Sequence, residues 1–260
     1  MIVLGVDVGS LTAKAVLMKD GKIEASAVTR ASANPRQSAQ KVLDLLFEQT
    51  NIKPADVVFS VGTGYGRKQI PNVSLTESEI ACHGRGAIWA NPDVRTVVDI
   101  GGQDAKALRM DEAGNVVRYS YNDKCASGTG RFLEVMADAL DVGLEDLGAL
   151  SQKAEKTVRI SNQCVVFAET EVITLVNDGA EPADIVRGLH QALAGRVAAL
   201  AKSVGVEEKV AFTGGVAKNM GVAAALAEAL AVELTPLDSL DPQLCGAIGA
   251  ALLAQEKAKA

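Results

Sequence analysis

The sequence predicts two copies of a mixed α/β domain. Three observations predict it: an internal repeat, glycine turns at the ends of strand-like runs, and helical periodicity between them. Val6–Leu17, VDVGSLTAKAVL, aligns with Val98–Arg109, VDIGGQDAKALR, and six of the twelve positions are identical, Asp7/Asp99, Gly9/Gly101 and Lys14/Lys106 among them. After each copy comes a short polar turn with glycine (KDGK, DEAGN) and another strand-like run (IEASAVT, VVRYSYN). Each copy therefore reads as a three-stranded meander whose first hairpin is closed by small residues.

The other elements follow in chain order. Pro35–Thr50 places Val42, Leu45 and Leu46 at helical spacing after a polar, proline-containing entry. Val57–Arg67, VVFSVGTGYGR, is a strand and glycine turn, and Ser78–Trp89 is helix-like. Pro182–Val204 is a helix with Ile185, Leu189, Leu193 and Val197 on one face. Lys209–Leu230 reads as a buried strand, a Thr-Gly-Gly turn and an alanine-rich helix, and Cys245–Ala254 as a small-residue helix able to pack closely. The expected division is a first domain over residues 1–93 and a second over 94–243, with a C-terminal helix over 244–260 packing back on the first.

Composition narrows the function. The chain has 260 residues, 48% of them apolar and 22% charged, which fits a soluble globular protein with a full core. A net charge of −6 spread along the chain is not the basic footprint of a nucleic-acid binder. No apolar run reaches the ~18 residues of a membrane span, and the start of the chain lacks a signal peptide's basic flank, so the expectation is a cytoplasmic protein with neither nucleic-acid nor membrane partner. In a reducing compartment Cys82, Cys125, Cys164 and Cys245 are expected as buried residues, ligands or redox groups. Two histidines are too few for a histidine metal site within one chain.

An aspartate at a strand end, followed by glycine and small hydroxyls, suits a nucleoside triphosphate with magnesium. Glycine lets backbone N–H groups approach phosphates, and carboxylates are hard ligands for Mg²⁺, directly or through water. Asp7 and Asp99 are the candidate magnesium and water-organising residues, and Gln103 the candidate that positions the attacking water. Gly9, Ser10, Thr12, Lys14, Gly101, Gly102, Gly214 and Gly215 are the candidates that hold ATP or ADP. Lys14 and Lys106 could equally be exposed strand lysines. With the turns GVDVGSLTAKAVL, VVDIGGQDAKAL and AFTGGVAKNMG in this order, the chain resembles the actin/Hsp70/sugar-kinase ATPase superfamily. That resemblance implies two RNase H-like (actin-like ATPase) domains with a central nucleotide cleft.

Cys125 precedes SGTG and a helix-like run, and Cys164 precedes VVFAETEVITLVNDG, so both are expected at helix N-termini. There the free N–H groups and the helix dipole favour thiolate, the form that binds iron. A cubane cluster takes four thiolates; a symmetric dimer would supply two from each chain, or Cys82 and Cys245 would complete a set within one. Glu169 and Glu171 are expected as first-turn acids or as transmitters between the nucleotide and the cysteines.

NDKCASGTGRFLEVMA, CVVFAETEVI, TGYGR and DIGGQD together resemble the activators (component A) of 2-hydroxyacyl-CoA dehydratases, and the similar ATPase subunits of ATP-dependent benzoyl-CoA reductases. The resemblance implies a homodimer with one bridging 4Fe–4S cluster held by Cys125 and Cys164 of each subunit. It implies a ferredoxin or flavodoxin donor, and an iron–sulfur dehydratase or reductase component that receives the electron at the expense of ATP. It also implies alanine at position 127, where this chain has Ser127. The competing reading is a small-molecule kinase of the N-acetylglucosamine-kinase kind, with Asn122-Asp123 gripping a sugar; a third is an actin- or chaperone-like ATP switch.

Overall fold

The computed structural model describes residues 1–161, 164–237 and 240–259, and the chain divides into two compact units. The first comprises residues 1–97, 110–117 and 236–260; the second comprises 98–109 and 118–235.

The first sheet is ordered β3 (Lys22–Arg30), β2 (Thr12–Lys19), β1 (Ile2–Val8), β4 (Phe59–Thr63), β5 (Leu75–Thr76). The β1–β2–β3 meander is antiparallel, whereas β4 joins β1, and β5 joins β4, in parallel. Register places Asp7 opposite Lys14. β1 is buried on both faces, as a central strand between helical layers should be. Leu4, Val6 and Val8 pack with Ala39, Val42 and Leu46 of α1 (Pro35–Glu48), whose N-terminus is capped by the Asn34 side chain. On the opposite face, Val3 joins Cys82 of α2 (Glu79–Ala90) and Ile248 and Ala251 of α8 (Cys245–Lys257). A side chain at Gly5 would run into the Ala247 carbonyl and the Ala251 backbone, so α8 lies directly on the strand. Asp7 belongs to that same face, two residues on.

The second sheet repeats the plan. Read from its meander edge, β8 (Val116–Asn122), β7 (Ala105–Met110), β6 (Thr96–Ile100), β9 (Val210–Thr213) and β10 (Leu234–Thr235) stand in the order of β3-β2-β1-β4-β5. Its core is built by α3 (Gly130–Leu140), α4 (Leu147–Gln152), α5 (Val165–Asn177), α6 (Pro182–Val204) and α7 (Met220–Leu230), with Phe132, Met136, Ile185, Leu189, Leu193 and Leu226 buried together. The meanders, α1, α2, α6 and α8 lie where periodicity and turn residues placed them. α7 starts later than expected: Gly215–Lys218 form a 3₁₀ turn, and Asn219 then caps the helix. Among the described residues no helix is long and apolar enough to cross a membrane.

Candidate functional site

In the first unit, the turn after β1 is closed by the Gly9 N–H donating to the Thr12 carbonyl at 3.0 Å. Lys14 Nζ lies 3.1 Å from Asp7 Oδ2, and both side chains are largely buried. The candidate lysine is thus no exposed strand lysine. Ser10 is half-buried in the turn, and Thr12 Oγ1 accepts from Gln243 Nε2 at 3.3 Å. Gly64, after β4, has φ of +91° and sits against Asp7 and the Val8 carbonyl, where an L side chain would be strained and would collide. His83 of α2 was missed by the sequence reading. Its Nε2 lies 2.9 Å, and Asp7 Oδ2 3.1 Å, from the point a Cβ on Gly246 would occupy. No spacing pattern signals this, because α2 and α8 bring His83 and Gly246 together from distant segments.

In the second unit the corresponding turn is closed by Gly101 N–H to the Asp104 carbonyl at 2.9 Å. Lys106 is buried and pairs with Asp99 at 3.5 Å and also with Asp104. Thr213 Oγ1 donates to Asp99 Oδ1 at 2.8 Å, and Gly214, at φ +89°, lies against Asp99 and the Ile100 carbonyl as Gly64 lies against Asp7 and Val8. Gly102 is half-buried; Gln103 and Gly215 are exposed. Behind this turn, His190 Nε2 lies 3.2 Å from the Asn219 amide nitrogen, while Asn219 Oδ1 caps α7. Burial pushes the His190 pKa down to about 4.

The two candidate cysteines are placed differently from each other. Cys164 is exposed and is the N-cap of α5, as expected. Cys125 is half-buried and precedes a 3₁₀ turn, Ala126–Gly128; α3 begins only at Gly130. The expectation that Cys125 sits directly on a bare helix N-terminus is therefore corrected. The first amides of α3 are already used: Gly130 N–H donates to the Gly101 carbonyl at 2.9 Å and Arg131 N–H to the Gly102 carbonyl at 2.8 Å. Ser127 is the residue that reaches the thiol, its Oγ 3.1 Å from Cys125 Sγ. Hydrogen bonds from the Ser127 hydroxyl, then from its backbone N–H, hold the Cys125 thiol below its ordinary pKa, with the Arg196 charge adding to them.

Asn122 is committed to the Cys125 turn: its Oδ1 accepts from Cys125 N–H at 3.2 Å and its Nδ2 donates to the Cys125 carbonyl at 2.6 Å. Asp123 pairs with Lys124. Glu169 and Glu171 lie beyond the first turn of α5, against expectation, and Glu171 accepts from the Ser161 N–H and hydroxyl at 2.9 and 2.7 Å. Cys82 and Cys245 are both fully buried in the packing of α2 against α8, and burial raises the Cys82 thiol to about 12.

A strand with an aspartate beside its last residue, running into a backbone-lined turn and built twice on one sheet topology, belongs to the actin-like ATPase fold, and that is the fold class of this protein. The chain belongs to the BadF/BadG/BcrA/BcrD ATPase family, whose model matches residues 4–254. It is 44% identical over 259 residues to the activator of lactoyl-CoA dehydratase from Anaerotignum propionicum, covering 100% of this chain and 99% of that one. It is likewise 44% identical over 259 residues to the (R)-2-hydroxyglutaryl-CoA dehydratase activating ATPase of Acidaminococcus fermentans, covering 98% and 97%. The solved activator of the 2-hydroxyisocaproyl-CoA dehydratase from Clostridium difficile with bound ADPNP superposes with a TM-score of 0.95 at 42% identity, covering 100% of this chain and 96% of that one.

Proposed function

We propose that the chain is an ATP-hydrolysing iron–sulfur activator. It drives a low-potential electron from ferredoxin or flavodoxin onto a 2-hydroxyacyl-CoA dehydratase, or onto a partner of the benzoyl-CoA reductase type. Asp7 and Asp99 hold magnesium and order water, and Gln103, exposed at the tip of its turn, positions the attacking water. Gly9, Ser10, Thr12, Lys14, Gly101, Gly102, Gly214 and Gly215 hold ATP and then ADP.

Cys125 and Cys164 fit a 4Fe–4S cluster by their donor chemistry: one thiol is held toward thiolate by two hydrogen bonds, and the other is exposed on a helix N-terminus. When bound, such a cluster supplies storage of one electron at low potential. Cys82 and Cys245 are buried between α2 and α8, so two thiols per chain, against the four a cubane takes, favour one cluster per homodimer. Val166 and Phe167, exposed in the first turn of α5 after Cys164, give that second copy an apolar surface to cover.

The observation that carries this reading is the pair of hydrogen bonds from Gly130 and Arg131 to the Gly101 and Gly102 carbonyls. A shift of the phosphate turn must move the start of α3, and with it the five-residue turn that presents Cys125. Asn122, the candidate sugar ligand of a kinase, is occupied by the Cys125 backbone.

The test is anaerobic purification with iron analysis and an ATPase assay. The expected result is brown protein with about two iron atoms per chain, the stoichiometry of one cubane shared by two chains. Cys125→Ser should lose the iron and abolish electron transfer to the partner. Colourless, iron-free wild type that phosphorylates an amino sugar would overturn the proposal.

A further inference from the structure

We infer that Ser127 is a positioning residue whose hydroxyl donates a hydrogen bond to the Cys125 sulfur, raising the reduction potential of the iron–sulfur group that Cys125 holds. This rests on the reading of Cys125 as a cluster ligand. The geometry is independent of it: Ser127 Oγ lies 3.1 Å from Cys125 Sγ, and Ser127 is only 3% exposed. In the free thiol either atom can donate. A thiolate bound to iron has no proton, so in the loaded protein the hydroxyl must be the donor.

The 3₁₀ turn Ala126–Gly128 aims the hydroxyl, and the Ser127 backbone N–H points at the same sulfur. The turn is braced on both sides. Asn122 bonds the Cys125 backbone in both directions, and both the N–H and the hydroxyl of Thr129 return to the Ala126 carbonyl. Ser127 is buried, so its hydroxyl is turned to the sulfur and not to bulk water. Donors to ligand sulfur stabilise the more negative, reduced state and so raise the potential.

The experiment is an anaerobic redox titration followed by electron paramagnetic resonance on wild type, Ser127→Ala, Ser127→Gly and Ser127→Thr, with resonance Raman of the Fe–Sγ stretches. Both hydroxyl-free variants should titrate at a more negative midpoint than wild type, and their Fe–Sγ modes should move to higher frequency. Ser127→Thr should stay at the wild-type values. An unchanged midpoint in iron-loaded Ser127→Ala overturns the inference while leaving the cluster reading intact. So does a midpoint in Ser127→Thr that follows Ser127→Ala. If both hydroxyl-free variants fail to retain iron while Ser127→Thr retains it, Ser127 holds the turn and does not tune the sulfur, and the inference falls. Wild type without iron overturns this inference and the cluster reading together.

Discussion

The two repeats around β1 and β6 share six of twelve residues and an Asp–Lys pair, yet they are braced by different neighbours. Asp99 accepts from Thr213, and its lysine has a second carboxylate in Asp104. In the first repeat Thr63 holds the same place as Thr213, but its hydroxyl donates to the Glu77 carbonyl at 3.1 Å, and among the described residues Lys14 bonds Asp7 without a second carboxylate. What stands by Asp7 instead is His83, across Gly246. The difference teaches that a repeated strand-and-turn unit can preserve its Asp–Lys pair while the support behind it diverges.

Removing the carboxylates should break the comparison most sharply. Asp7→Asn and Asp99→Asn should each lower the ATPase rate about 10²–10³-fold, the usual size for losing one preorganised electrostatic group. Their stabilities should differ. Asp7→Asn strands a largely buried Lys14 and should cost about 3 kcal/mol, as broken buried pairs do. Asp99→Asn should cost less, because Lys106 keeps Asp104. Urea melts of the two variants read the difference, and equal costs would refute the asymmetry.

The second repeat should also be the more acid-sensitive, through His190 behind Asn219. The folded His190 pKa, about 4, lies below the ordinary value, so the unfolded chain binds the extra proton between pH 6.5 and 4. Stability is therefore full above pH 6.5 and falls as the pH drops, by roughly 2 kcal/mol between pH 7 and 5. Chemical denaturation of wild type and His190→Gln at the two pH values should show a smaller fall in the variant. The last comparison concerns the threonines, and its smaller member is the smallest effect expected. Thr213→Val removes a buried hydrogen bond to a carboxylate and should cost about 1.5–3 kcal/mol. Thr63→Val loses a bond to a neutral carbonyl and should cost about 1 kcal/mol. A larger loss at Thr63 would reverse the order of bracing.

Both meanders were legible because a three-stranded hairpin unit is written locally, in alternating apolar residues and a glycine turn. The helices with a wide apolar face, α1 and α6, were legible for the same reason. Thr213-Gly214-Gly215 was legible as a turn but not as the lid on Asp99, since the two lie 114 residues apart. The Cys125 turn was misread in one respect. CASGTGR looks like a helix start, and only the carbonyls of Gly101 and Gly102 show that the first amides of α3 belong to the turn after β6.

By itself the sequence determined the repeat, its aspartates and lysines, the glycines beside them and the two cysteines ahead of their helices, because each is a local pattern of residue type and spacing. Only the tertiary structure decided which acid each lysine meets, that His83 stands by Asp7, and that Ser127 rather than the α3 N-terminus reaches Cys125. Those outcomes depend on burial and on partners brought in by other elements, or on the exact path of one turn, and neither leaves a periodic trace in the chain.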